Sequence, residues 1–137
     1  MTTVTEALDF AREHHRGVIV TRLDDGRVQT SPIVATVDDG DRLVVSSRET
    51  AYKVKQLRRD PRATICLFTD DFFGPWVQLE GEAEILSLPD AMEPLVEYYR
   101  SLRGEHPDWD EYREAMREEQ RVLIRIDPER AGPDRTG

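Results

Sequence analysis

The sequence predicts an α+β fold, a Greek-key-like antiparallel barrel of six strands with helices in the gaps between them. Three observations predict it. Residues 77–85 alternate apolar and polar side chains without a break, the pattern of a strand with one buried and one wet face. Two Asp-Asp-Gly turns, at 24–26 and 38–40, separate segments rich in β-branched residues. Residues 4–15, 87–103 and 107–119 instead carry helical spacing and helix start or stop signals.

In chain order, residues 4–15 form the first helix, with Ala7, Leu8 and Ala11 on one face and Gly17 ending it. His14 and His15 are neighbours on that helix and so point apart. Residues 18–23 are a strand, and the chain returns through a long strand, 28–37. Pro32 lies within it and has no N–H for a ladder, so that strand must be an edge or bulged there. A strand at 43–46 runs into a basic helix that Pro61 stops. Strands follow at 63–69 and 77–85, joined by the loop 70–75. Ser87 as N-cap and Pro89 in the first turn predict the helix to Arg103, which Gly104 terminates. A further helix covers 107–119, and 121–126 is the closing strand. Residues 128–137 are expected to be a frayed tail of one domain spanning 1–137.

Composition narrows the function. The chain carries 28 acidic against 19 basic residues, a net charge of −9. That argues against nucleic acid as a partner, because phosphate neutralisation needs a broad basic footprint. No apolar run approaches the ~18 residues of a membrane span. The first six residues lack a basic n-region and an apolar h-region, so no membrane partner and a cytoplasmic location are expected. The lone Cys66 lies in the apolar run 63–68, where a small core residue without a disulfide is expected.

Against this acidic background, residues 46–62 stand out. They hold six basic residues and two acids, a local charge of +4 against −13 for the rest. A solvated basic helix face is one reading. The other is an anion site, because a strand enters two serines and then a helix start, where hydroxyls, backbone N–H groups and Lys53 can converge on a phosphate. Nucleophile and zinc motifs are missing, and the acid pairs Asp108/Asp110 and Glu118/Glu119 read as solvated helix faces. Phe72, Phe73 and Trp76 cluster beside Gly74-Pro75, as a hydrophobic cap, a subunit interface or a wall for a flat heterocycle.

The segments 17–21 (GVIVT), 25–32 (DGRVQTSP) and 53–63 (KVKQLRRDPRA) together resemble the split β-barrel flavin/deazaflavin-binding superfamily. It includes pyridoxamine 5'-phosphate-oxidase-like proteins and coenzyme F420-dependent oxidoreductases. Residues 98–113 are similar to the B branch of the deazaflavin enzymes, and the likeness runs over roughly residues 5 to 130. The resemblance implies a homodimer with two cofactors in grooves between the subunits. It places Ser46, Ser47, Lys53 and Lys55 on the cofactor phosphate, Gln29, Thr30, Ser31 and Pro32 against the ring system, and Trp76 near the pocket. Arg58 and Arg59 would steer the acidic glutamyl tail of a deazaflavin, on grounds of charge.

Two departures bear on the cofactor. The Arg-Lys pair that flavin-using members set on the phosphate reads Tyr52-Lys53 here, and the arginine-bearing C-terminal signature of true pyridoxamine-phosphate oxidases is absent. The resemblance therefore implies coenzyme F420 rather than FMN. The expected activity is hydride transfer from the reduced deazaflavin to an electron-poor conjugated small molecule, enone, quinone-like or tetrapyrrole-like. Such chemistry is cofactor-borne and needs neither a catalytic side chain nor a metal. An FMN-binding oxidoreductase of the same fold and a non-catalytic F420 carrier are the alternatives.

Overall fold

A computed structural model describes residues 1–133. The elements are α1 (Val4–Glu13), β1 (Arg16–Arg22), β2 (Val28–Val34), β3 (Thr36–Val37), β4 (Leu43–Arg48), α2 (Tyr52–Arg59), β5 (Arg62–Phe68), β6 (Trp76–Leu86), α3 (Met92–Arg103), α4 (Trp109–Glu118) and β7 (Arg121–Gly132). The strands form one sheet in the order β2-β1-β5-β6-β7-β4-β3, with every pairing antiparallel.

The sheet curls into a split barrel because one face of each strand is apolar. Ile19, Leu43, Val45, Ile65, Leu67, Leu79, Ile124 and Ile126 fill the interior. Two helices plug it, α1 through Ala7, Leu8 and Ala11, and α2 through Val54 and Leu57. A second, smaller core lies outside the barrel. There Val44 and Leu123, on the outer faces of β4 and β7, meet Leu95 and Val96 of α3 and Tyr112 and Met116 of α4. Helices α3 and α4 are thus held against the β4–β7 side of the sheet.

Several sequence expectations shift. Seven strands replace six because the segment 28–37 bends at the fully buried Ala35, whose N–H donates to the His15 carbonyl. Beyond the bend, Thr36 and Val37 leave β1 and pair with Val44 and Leu43. One stretch of chain thereby supplies both ends of the sheet order. Helix α1 ends at Glu13, so His14 is its C-cap and His15 leads into β1 rather than lying on the helix.

Ser87 does not cap α3. Its hydroxyl is engaged by Glu49 and Arg58, and the helix starts later, at Met92. Residues 128–132, expected to fray, continue β7 against β6 across a register shift at Glu80/Gly81, while 134–137 lie outside the described residues. Gly81 is required at that shift, since a Cβ there would sit 1.9 Å from the Asp127 carbonyl oxygen. Cys66 is half-buried on the outer face of β5, not in the barrel core, because Ile65 and Leu67 occupy the inward positions.

Candidate functional site

The split in the barrel is where the site forms. β2 ends the sheet order, and β4 pairs with β3 only at its first two residues, so the edges of β2 and the later half of β4 face one another unpaired. At one end a side chain bridges them. The Tyr98 hydroxyl of α3 donates to the Val34 carbonyl of β2 at 2.8 Å, and the Ser46 N–H of β4 lies against the Tyr98 phenolic oxygen. Burial pushes the Tyr98 hydroxyl above its ordinary pKa, with that N–H opposing the shift.

Beside this bridge opens a cleft of about 1020 Å³, at the upper end of the ~300–1,000 Å³ typical of small-molecule sites. Its charge is one-sided. Arg16, Lys53, Arg103 and Arg121 line it and, among the described residues, no carboxylate does, although the chain as a whole is acidic. The Lys53 ammonium lies 3.4 Å from Ser31 Oγ, spanning from α2 to the β2 edge. Its pKa is held below the ordinary 10.5, first by burial and then by repulsion from Arg121. Arg121 is held by Glu119 at 2.8 Å, and Arg16 lies 3.5 Å from the exposed Asp70. Arg103 makes no ion pair among the described residues.

The rest of the lining is largely aromatic and apolar, including Phe68, Tyr98, Tyr99, Leu102, Tyr112 and Met116. Tyr99 packs edge-on against Tyr112 and Trp109, with ring centroids 5.1 and 5.7 Å away, which fixes the turn between α3 and α4. The Tyr112 hydroxyl donates to the Leu95 carbonyl at 2.8 Å, and burial pushes its pKa up to about 12. A cleft lined by both cations and flat aromatic surface suits an anionic, planar ligand.

Of the residues that sequence reasoning singled out, Pro32, Ser46 and Lys53 line the cleft, and Ser31 contacts Lys53. The others are placed elsewhere. Gln29 accepts from the Gln56 side chain at 2.6 Å, and Thr30 is exposed on the other face of β2. Ser47 points into the barrel and is buried, since strand alternation puts it opposite Ser46. Lys55 sits 5.9 Å from the ring centroid of the exposed Tyr52. Arg58 is bound to Glu49 and Ser87, and Arg59 to the Arg22 carbonyl. Trp76 pairs with Phe68 across β5 and β6 but is not part of the cleft wall.

Sequence reasoning did not find His15, Arg16, Tyr98, Tyr99, Arg103, Tyr112 and Arg121 as cleft residues. The His15 ring nitrogen Nδ1 lies 2.9 Å from the Ala35 carbonyl, at the bend between β2 and β3. The one signal available was the likeness of residues 98–113 to a deazaflavin branch, which marked α3 and α4 without assigning roles.

Comparison with known proteins decides the family. The sequence signature of pyridoxamine 5'-phosphate oxidase matches residues 3–133, nearly the whole chain. The chain belongs to the pyridoxamine 5'-phosphate oxidase family. This family includes oxidoreductases and binds flavin-type cofactors.

Solved structures agree on the fold of this family member. A conserved hypothetical protein of Mycobacterium tuberculosis is 27% identical with a TM-score of 0.74, covering 93% of this chain and 81% of its own. A putative pyridoxamine 5'-phosphate oxidase of Listeria innocua is 19% identical with a TM-score of 0.67, covering 94% and 95%. An F420 reductase is 18% identical with a TM-score of 0.67, covering 90% and 94%. The last two, at such identities, speak for the fold of the oxidase family alone. Among the described residues of this oxidase-family chain, no helix is long and apolar enough to cross a membrane.

Proposed function

We propose that this protein is a coenzyme F420-dependent reductase that takes an electron-poor conjugated small molecule as acceptor. The observation that carries the reading is the cleft between the unpaired edges of β2 and β4, lined among the described residues by four cations and no carboxylate and walled in part by flat aromatic surface. Lys53, with the hydroxyls of Ser31 and Ser46 at the same slot, holds the phosphate. Pro32 and the aromatic surface of α3 and α4 would take the ring system and exclude water from its face. When bound and reduced, the deazaflavin supplies a hydride to the acceptor, and solvent supplies the accompanying proton. The chain's own part is to hold, orient and desolvate.

A homodimer belongs to the same reading. Phe72 and Phe73 are 70% and 93% exposed, and Val28, Val34, Tyr52 and Trp76 are also exposed, apolar surface that a second copy would cover.

FMN is the second reading, favoured by the family match itself. Against it stands position 52, where an exposed tyrosine occupies the place of a phosphate-binding arginine. Titration of the cofactor-free protein with F420 and with FMN separates them. Tight F420 binding with weak FMN binding is the expected result, and the reverse order overturns the assignment. Turnover of no acceptor by a protein that binds F420 tightly would make it a carrier.

A further inference from the structure

We propose that the acceptor is a planar molecule bearing a carboxylate, and that Arg103 is the group that receives it. The proposal rests on the cofactor reading above and names the substrate class of the same site.

The α3–α4 hairpin carries other arginines that show what an acidic chain does with its cations. Arg100 is bound by Glu97 and by Glu105, Arg113 by Glu93 at 2.6 Å, and Arg117 by Glu114 at 3.4 Å. Arg103 is the exception, with no carboxylate partner among the described residues, in a protein holding 28 acids. It faces the cleft. Compensation of the helix dipole does not account for it, because Arg100 shares the last turn of α3 and is nonetheless doubly paired.

The cations of the cleft differ in their partners. Lys53 lies at the slot with Ser31, and Arg121 is close enough to depress its ionisation. Those two suffice for one phosphate. Arg103 follows Leu102 in the last turn of α3 and lines the cleft with Tyr99, Leu102 and Met116, near enough to the Tyr98 hydroxyl to act on its ionisation. A guanidinium in a cleft with aromatic surface matches a carboxylate hung on a conjugated ring: the ring stacks, and the fork of N–H donors takes both oxygens. A phosphate-binding cation would gain nothing from such a surface.

The carboxylate could also come from an acidic tail of the cofactor, and the test distinguishes the two sources. Protein loaded with whichever of oxidised F420 or FMN it binds is titrated with anthraquinone-2-carboxylate and with its methyl ester, following quenching of intrinsic fluorescence. The probes share the ring and differ only at the carboxyl group, charged in the acid and capped by a methyl in the ester. The acid is expected to bind about tenfold more tightly than the ester, the lower end of what a charge-assisted hydrogen bond contributes. Arg103→Gln removes that preference and Arg103→Lys keeps part of it. Arg117→Gln, an equal loss of charge from an already paired arginine, leaves it intact.

Equal binding of acid and ester by loaded parent protein overturns the inference while leaving the cofactor reading in place. So does an Arg103→Gln variant that loses F420 affinity yet keeps the acid preference, which would assign this cation to the cofactor tail. An equal effect of Arg117→Gln would also overturn it, by reducing the preference to a general field. A protein that binds neither F420 nor FMN overturns both readings together.

Discussion

The Tyr98 hydroxyl and the Val34 carbonyl, 2.8 Å apart, stand in for the backbone ladder that β2 and β4 do not make. With the Ser46 N–H against the phenolic oxygen of Tyr98, one phenol spans the split in the barrel and sets the width of the cleft at that end. Tyr98→Phe is therefore expected to cost about 1 kcal/mol of stability, since both freed backbone groups reach water. Amide exchange at Ser46 should quicken while exchange on β5 and β6 stays as it was. Unchanged Ser46 protection would mean that packing, not the hydroxyl, holds the edges together.

Lys53→Ala should weaken F420 binding roughly ten- to a hundred-fold, the ~1.5–3 kcal/mol of a charged hydrogen-bond partner. Arg58 and Arg59, already engaged with Glu49 and the Arg22 carbonyl, should matter little to affinity when replaced by alanine. Isothermal titration on the three variants checks the order. If the arginine variants lose affinity and Lys53→Ala does not, the phosphate lies farther along α2.

The depressed pKa of Lys53 gives two pH predictions of definite sign. Burial disfavours its charged form in the folded, cofactor-free protein, so Lys53→Met should stabilise that state at neutral pH, and the difference should shrink as pH rises toward the ordinary 10.5. A bound phosphate favours the protonated amine, so binding takes up a proton and affinity falls as pH climbs through a midpoint below 10.5. Dissociation constants measured between about pH 7 and 10 test this, with Lys53→Arg expected to flatten the profile.

Gly17 crosses β5 at a point where no side chain fits. A Cβ there would lie 2.0 Å from the Cys66 carbonyl oxygen and 2.8 Å from Leu67 Cδ2. Gly17→Ala should cost about 3 kcal/mol, the upper part of the overpacking range, read by chemical denaturation. A loss under 1 kcal/mol would show that β1 and β5 can part without penalty.

Cys66→Ala is expected to be mild, about 1 kcal/mol or less, because the thiol is half-buried on the outer sheet face. Burial raises its pKa, which keeps it a thiol near neutrality rather than a thiolate. Cofactor affinity should be unaffected. A marked loss in folded protein would give the sulfur a role that its position does not explain.

Much of the barrel was legible because its signals are local. Alternation fixed β6, Asp-Gly turns fixed the β1–β2 and β3–β4 connections, and the missing donor of Pro32 marked the edge on which it lies. The charge island pointed to Lys53 and Ser46 for the same reason. What escaped was decided by tertiary placement. On α3, spacing identifies Leu95 and Val96 as the packed face, but nothing local says that Tyr98, Tyr99, Leu102 and Arg103 look into a cleft closed by β1 and β2. Ser46 and Ser47 read alike in sequence, and only the strand's parity separates a cleft residue from a buried one. The extension of β7 was hidden because Asp127, Pro128 and Glu129 look like a tail until β6 is there to pair with them.

Pro32 has a further consequence for the life of the molecule in a crowded solution. Ala35 donates to His15, so the bonded pairs of the β1–β2 ladder fall at Ile33/Gly17 and Ser31/Ile19, and the Pro32 nitrogen faces away from β1. The exposed rim of β2 therefore lacks one donor at its middle. An extended peptide, whether a stray loop or the rim of an unfolding neighbour, meets a gap where it would need a bond. The opening that admits a small ligand is thus a poor template for strand invasion, and the protein can keep a gap in its barrel without inviting aggregation through it.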